Sequence, residues 1–174
     1  MNKLFSMLIV ICLLLSMAGC SMLQYESMSM EKILDLPDDE MIVALLMQLG
    51  MKPFEYLSES EKVVYTAAAF EMEVLNGGTV QFLANEADSA APYVLEALEK
   101  IGATEHLTLL KDQLDKTGVD LTDLSDFVTD DMEEFSALYD RYNFDSFDYE
   151  YENLTSMPEL IRSYVQTHVE DFGG

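Results

Sequence analysis

Apolar residues recur every three or four positions along most of this 174-residue chain, and this helical period constrains its fold more than any other feature. Ser58 and Glu61 have the spacing of a capping box, which marks a helix N-terminus. Four apolar residues on one helical face follow this pair: Val63, Ala67, Phe70 and Val74. Glycines suited to helix ends come after the apolar stripes, at Gly50, Gly78, Gly102 and Gly118.

Further stripes lie within 41–49, 94–101, 107–114 and 132–142 and from about Met157 onward. The stripe that follows Asp130 and Asp131 consists of Met132, Phe135, Tyr139 and Tyr142. The residues expected to face inward in the last helix are Ile161, Val165, His168 and Phe172. Only the short stretch 147–152 alternates with the period of a strand. We therefore predict an all-α fold, a single compact domain of about six to seven helices over residues 35–174.

The first twenty residues resemble the signal of a bacterial lipoprotein. Lys3 precedes an apolar run over 4–17 with no acidic residue. This run is too short to cross a bilayer comfortably, which takes roughly 20 apolar residues. Met17-Ala18-Gly19-Cys20 resembles a lipobox, so we predict a cleaved signal peptide over 1–19 and a lipid such as palmitate on Cys20. An ordinary secretory signal, or an uncleaved anchor in which Cys20 is incidental, is the alternative.

These predictions place the mature chain on the extracytoplasmic face of a membrane in the bacterial cell envelope. Ser21, and not an aspartate, follows the lipidated position, which favours the outer membrane if the cell has two. Residues 20–34 mix Ser and Met without a period and are predicted to be the lipidated N-terminus and a tether. Cys12 and Cys20 are the only cysteines, so the mature chain has no thiolate metal site or disulfide.

Acidic residues dominate the C-terminal half. The whole chain has a formal net charge of -24, and fourteen acidic residues against two basic ones lie between Asp112 and Glu152. Such a surface repels nucleic acid and attracts cationic partners. We predict partner-binding carboxylates at Asp123, Asp126, Asp130, Asp131, Glu133, Glu134, Asp140, Asp145, Asp148, Glu150 and Glu152. An acidic face that only keeps the protein soluble is the alternative.

Several motifs resemble the DNA-mimic protein 19 family over roughly residues 60–172. They are Glu73-Val74-Leu75-Asn76-Gly77-Gly78-Thr79-Val80-Gln81-Phe82-Leu83-Ala84-Asn85, Ala97 to Ala103, Phe135 to Asp140 with Tyr142, and Tyr164 to Val169. The resemblance implies an all-α acidic domain, in whose characterised member carboxylates imitate DNA phosphates and occupy a DNA-binding protein. That member is cytoplasmic, so the resemblance supports the fold here more directly than the mimicry.

Nothing in the sequence indicates an enzyme, a cofactor or a metal. His106 and His168 are the only histidines, and neither belongs to a metal-binding or catalytic motif. Glu73, Gln81 and Asn85 beside the double glycine can form a polar pocket, but the same groups commonly tie down backbone at a helix corner. The acidic run also lacks the glycine and spacing of a calcium loop.

The sequence thus predicts a membrane-anchored acidic helical domain that binds a basic protein partner. A structural or solubilising envelope lipoprotein without a specific ligand is one alternative, and an immunity-like inhibitor of a basic toxin is another. A homodimer is compatible with either.

The lipobox generates the first testable prediction. Cys20→Ser removes the thiol that accepts the lipid, so metabolic labelling with palmitate should be lost and the precursor should keep its signal peptide. Labelling and precursor size are read on a gel beside the wild type. Undiminished labelling of the variant would exclude a lipid on Cys20.

Overall fold

The computed structural model describes residue 25, residues 27–151 and residues 153–172. The predicted signal peptide, Cys20 and Glu152 lie outside these residues. Within them the regular structure is entirely helical, which confirms the all-α prediction. No helix in this part of the chain combines the length and the hydropathy that a bilayer crossing requires.

The described ranges contain nine α-helices, and we number them in chain order. They are α1 (Met30–Leu34), α2 (Asp38–Leu49), α3 (Glu59–Gly77), α4 (Thr79–Asn85), α5 (Val94–Lys100), α6 (Thr104–Thr117), α7 (Met132–Arg141), α8 (Asp145–Tyr151) and α9 (Met157–Thr167). This is more than the six or seven expected because α1, α4 and α8 have only five to seven residues each. Helices of one or two turns carry little periodic signal.

Helix α3 forms the centre of the domain and packs against α2, α4, α5 and α9. Its predicted stripe is confirmed, since all four residues are buried and Ala67 and Phe70 are fully so. The capping box is confirmed as well. The Ser58 hydroxyl accepts from the Glu61 amide at 3.2 Å, and the Glu61 carboxylate accepts from the Ser58 amide at 2.8 Å.

Helix α1 belongs to the core, although residues 20–34 were expected to form a tether. Met30, Ile33 and Leu34 are buried at the i, i+3, i+4 spacing of one helical face. The Gln48 side-chain amide donates to the Met28 carbonyl at 2.9 Å and holds the chain just before α1. The packed domain therefore begins before Asp35.

Two predicted faces differ from the structure. In α7 only Leu138 is buried, whereas Met132 is 47% exposed and Tyr139 is 39% exposed. This helix lies at the surface, so its aromatic residues are not a core stripe.

The interior histidine is His106, which is 1% exposed, and not His168. Helix α9 ends at Thr167, so His168 falls out of helical phase with the buried Ile161 and Val165. Its ring is half-buried and stacks on Tyr164, with the ring centroids 4.1 Å apart.

Helix α8 is attached to the core by a buried hydrogen bond. Residues 147–151 of the stretch with strand-like alternation are helical, and Phe147 and Tyr151 are buried one turn apart. The Tyr151 hydroxyl donates to the Glu71 carboxylate on α3 at 2.5 Å, and the His106 ring packs edge-on against Tyr151. Burial raises the pKa of Glu71 above its usual range, although the bond from Tyr151 opposes that rise.

This pair generates a prediction about stability. Tyr151→Phe leaves the Glu71 carboxylate buried without that donor, so the free energy of unfolding at pH 7 should fall by about 1–3 kcal/mol. Burial raises the pKa of Glu71, so this carboxylate takes up a proton in the folded protein at a higher pH than it would in water. The loss should therefore shrink as the pH falls toward 4.5, where protonation removes the buried charge.

Glu71→Gln is the matched control, because it keeps an acceptor for Tyr151 and carries no charge. Its free energy of unfolding should equal or exceed that of the wild type at pH 7. Urea unfolding followed by circular dichroism at pH 4.5, 6 and 7 measures both variants. A Tyr151→Phe loss that does not depend on pH would mean that Glu71 charge plays no part.

Candidate acidic interaction surface

Most of the predicted partner-binding carboxylates reach solvent. Nine of them are exposed, and we call these nine the acidic surface: Asp123, Asp126, Asp130, Asp131, Glu133, Glu134, Asp140, Asp145 and Glu150. They come from the segment that precedes α7, from α7 itself and from α8. Asp148 is half-buried, and Glu152 is outside the described residues.

Local hydrogen bonds fix several of these carboxylates in place. Asp131 is the N-cap of α7 and accepts from the Glu133 amide at 2.8 Å and from the Glu134 amide at 3.0 Å. Asp123 accepts from the hydroxyl and amide of Ser125, which lowers the pKa of Asp123. Acidic groups are also favoured at the positive end of a helix dipole. Part of the acidic sequence thus has a structural explanation.

Basic side chains neutralise little of this surface. The Arg141 guanidinium lies 2.9 Å from the Asp126 carboxylate, which also accepts from the Tyr142 hydroxyl at 2.7 Å. In the described part of the chain, none of the other eight carboxylates of the acidic surface has an ion-pair partner. Their charges therefore sum to a negative potential that favours the approach of cations.

Asp148 has a structural role, although it was expected to contact a partner. Its carboxylate accepts from the amide and the hydroxyl of Thr79 at 3.0 and 2.6 Å, and it thereby caps the start of α4. Burial raises the pKa of Asp148. The two residues are 69 positions apart, so no local pattern in the sequence indicates this cap.

The polar corner between α3 and α4 is held together by its own side chains. Gln81 and Asn85 both donate to one oxygen of the Glu73 carboxylate, at 2.6 and 2.9 Å. The Tyr139 hydroxyl of α7 donates to the Gly77 carbonyl at 3.0 Å. These contacts support the interpretation that the corner is structural, and they bring α7 and α8 to the same end of α3.

Glycine is needed at this corner for two reasons. Gly78 has φ +88°, a conformation that other residues rarely adopt. A Cβ on Gly78 would also collide with the Asp148 carboxylate, and one on Gly77 would collide with the Gln81 side chain. The double glycine thus permits the close approach of the groups that fix α4.

Two shallow clefts adjoin the acidic surface and a third lies next to them, and sequence reasoning did not indicate any of the three. They have volumes of about 540, 490 and 400 Å³, and Ala87 and Asp88 line all three. Asp88 lies outside the acidic run, in a short loop after α4, so charge density along the chain does not single it out. The described residues contain no group of three or more His, Cys, Asp or Glu side chains placed to hold a metal ion.

The corner generates a prediction that separates backbone strain from collision. Gly118→Ala meets only strain, because Gly118 has φ +73° and open space around its Cα, and we expect a loss of about 1 kcal/mol. Gly78→Ala also displaces Asp148 from Thr79, so its loss should reach about 2–4 kcal/mol. Urea unfolding measures both. Equal losses would show that the Asp148 cap contributes nothing to stability.

Comparison with known proteins places most of this fold in one family. Residues 55–168 match the family described as DMP19-like protein, so the match covers the corner, the clefts and the acidic surface. No curated protein and no solved structure gave a match. Because the matched region is more than half of the chain, the protein belongs to the DMP19-like family.

Proposed function

We propose that this protein is an envelope lipoprotein whose acidic surface binds a basic protein partner outside the cytoplasm. Cys20 would carry the lipid on the extracytoplasmic face of the membrane, the outer one if the cell has two. The observation that carries the proposal is the set of eight exposed carboxylates with no ion-pair partner in the described ranges. A surface that needed only solubility would not have to exclude basic side chains so completely.

The mechanism we propose is occupancy. Carboxylates three or four residues apart on a helix lie about 5–6 Å from one another at their Cβ atoms, which is broadly comparable with phosphates along a DNA strand. A partner whose cationic surface accepts DNA can therefore be covered by the same arrangement. This mode of binding is suggested by the resemblance to the DNA-mimic family.

Binding fits the side chains better than catalysis does. The Glu73 carboxylate accepts from two amides, and His106 is buried against Tyr151. A general base has to lie within hydrogen-bond reach of a substrate proton. His106 is only 1% exposed, and among the described residues that line the three clefts there is neither His106 nor Glu73. We therefore propose that the protein is not an enzyme.

A solubilising lipoprotein without a specific ligand is the second candidate. The helix cap at Asp131 and the turn at Asp123 favour it, because they explain two carboxylates without any partner. An immunity-like inhibitor of a basic toxin would use the same surface as the main proposal, and it differs only in the identity of its partner.

Two sets of four neutral substitutions test the proposal at equal net charge. The first set changes exposed residues of the acidic surface whose carboxylates accept no hydrogen bond from any described residue: Asp130→Asn, Glu133→Gln, Asp140→Asn and Glu150→Gln. The control set changes exposed acids elsewhere: Glu96→Gln, Glu99→Gln, Asp115→Asn and Glu170→Gln. Association with cytochrome c, a small basic protein, is followed by biolayer interferometry at low and at physiological salt.

The first set should lower the association rate about tenfold at low salt, and the control set less than about threefold, because steering depends on where charge lies. The difference should shrink as salt screens the field. Equal effects of the two sets would identify a general polyanion. No binding by the wild type at low salt would favour the solubilising candidate.

A further inference from the structure

The three clefts near the acidic surface share lining residues. The two larger ones, of about 540 and 490 Å³, lie between the loop after α4 and the segment that leads into α7. Ala87, Asp88 and Val128 line both. We call these two clefts together the Asp88 groove. The third cleft continues from Asp88 toward Phe54 and Tyr93.

The Asp88 groove is lined by apolar and polar groups in similar measure, and we call the apolar part its floor. Its apolar lining includes Ala87, Pro92, Leu121, Leu124 and Val128. The Val128 side chain is 54% exposed, which leaves apolar area open to solvent in the middle of a strongly charged region. Covering that area with another apolar group would be favourable, because it removes apolar surface from water.

The charged residues of the groove are all acidic. Asp88 lies on one side, and Asp123, Asp130 and Glu134 line the other. Among the residues that the structure describes, no basic one lines these two clefts. Asp88 has neither an ion pair nor a side-chain hydrogen bond with any described residue, so its charge is available to a ligand. This combination of an apolar floor and acidic walls repels phosphate groups and complements a peptide that is both basic and apolar.

Extended peptide matches this pattern better than a flat cationic surface. In an extended chain successive side chains point to opposite faces, so alternate apolar residues can contact the floor. Arg or Lys residues between them have long apolar stems and can turn their charged ends toward the carboxylates of the walls.

We propose that the Asp88 groove docks an extended segment of the partner in which basic and apolar residues alternate. The proposal rests on the proposed function, because it names the recognition element of that basic partner. Docking in the groove would add shape complementarity and apolar burial to an interaction that otherwise depends on charge alone.

Two peptides of identical composition test the groove. One consists of four Arg-Val repeats, and the other has four Arg followed by four Val, so both carry the same charge. Affinities for the full mature chain are measured by fluorescence anisotropy at physiological salt. The alternating peptide should bind about tenfold more tightly, because only it can place apolar side chains on the floor and charges on the walls together.

Two variants with matched controls locate the site. Val128→Ser should weaken the alternating peptide about fivefold and leave the block peptide unchanged, whereas Val169→Ser, at another exposed valine, should change neither. Asp88→Asn should weaken the alternating peptide about threefold relative to Asp115→Asn, the effect of one exposed ion pair. Thermal unfolding confirms that each variant keeps its fold.

The outcomes separate this proposal from the one on which it rests. If both peptides bind equally and Val128→Ser changes neither, the groove is not the docking site. If in addition the four acidic-surface substitutions weaken both peptides, the broader proposal stands without the groove. Tighter binding of the block peptide would identify a flexible polycation as the ligand and overturn the groove. If neither peptide binds the wild type, both proposals fail.

Discussion

The part of the acidic surface that lies on α8 depends on how this seven-residue helix is held. The middle of the helix is fixed by Asp148, which caps α4, and its last residue, Tyr151, donates to Glu71 inside the core. A solvent-facing acidic residue could not take the place of Asp148 or Tyr151, because each of these two contacts a group that is shielded from water. Two residues of this strongly acidic segment thus hold it against the interior of the domain. Its residues Asp145, Tyr149 and Glu150 are exposed to solvent.

Local sequence patterns predicted the parts of the fold that local forces determine. The Ser58 cap, the buried face of α3 and the end of α3 at Gly78 involve residues that are close along the chain, so spacing alone revealed them. The contacts that place α8 could not be predicted in this way. Tyr151 meets Glu71 across 80 positions and Asp148 meets Thr79 across 69, and a single sequence contains no signal for such pairs.

The candidate site was predictable to a similar extent. The density of acids between Asp112 and Glu152 identified nine exposed carboxylates correctly as solvent-facing, but it could not distinguish Asp148, whose neighbours in sequence are equally acidic. Burial, and not composition, decides whether a carboxylate is available, and it raises the pKa of Glu71, Glu86 and Asp148. Asp88 shows the converse, since this acid lies outside the run and yet lines all three clefts described above.

The packing of α1 against the core sets a limit on how far the domain can stand from a bilayer. If Cys20 carries a lipid, only nine residues lie between that anchor and Met30, the first residue of α1. Fully extended, the chain from Cys20 to Met30 spans about 35 Å at most, whereas a tether that ended at Asp35 would span about 50 Å. The domain would then be confined to a thin layer close to the lipid head groups. A partner would have to enter that layer to be bound, which favours partners that are themselves confined near the same membrane.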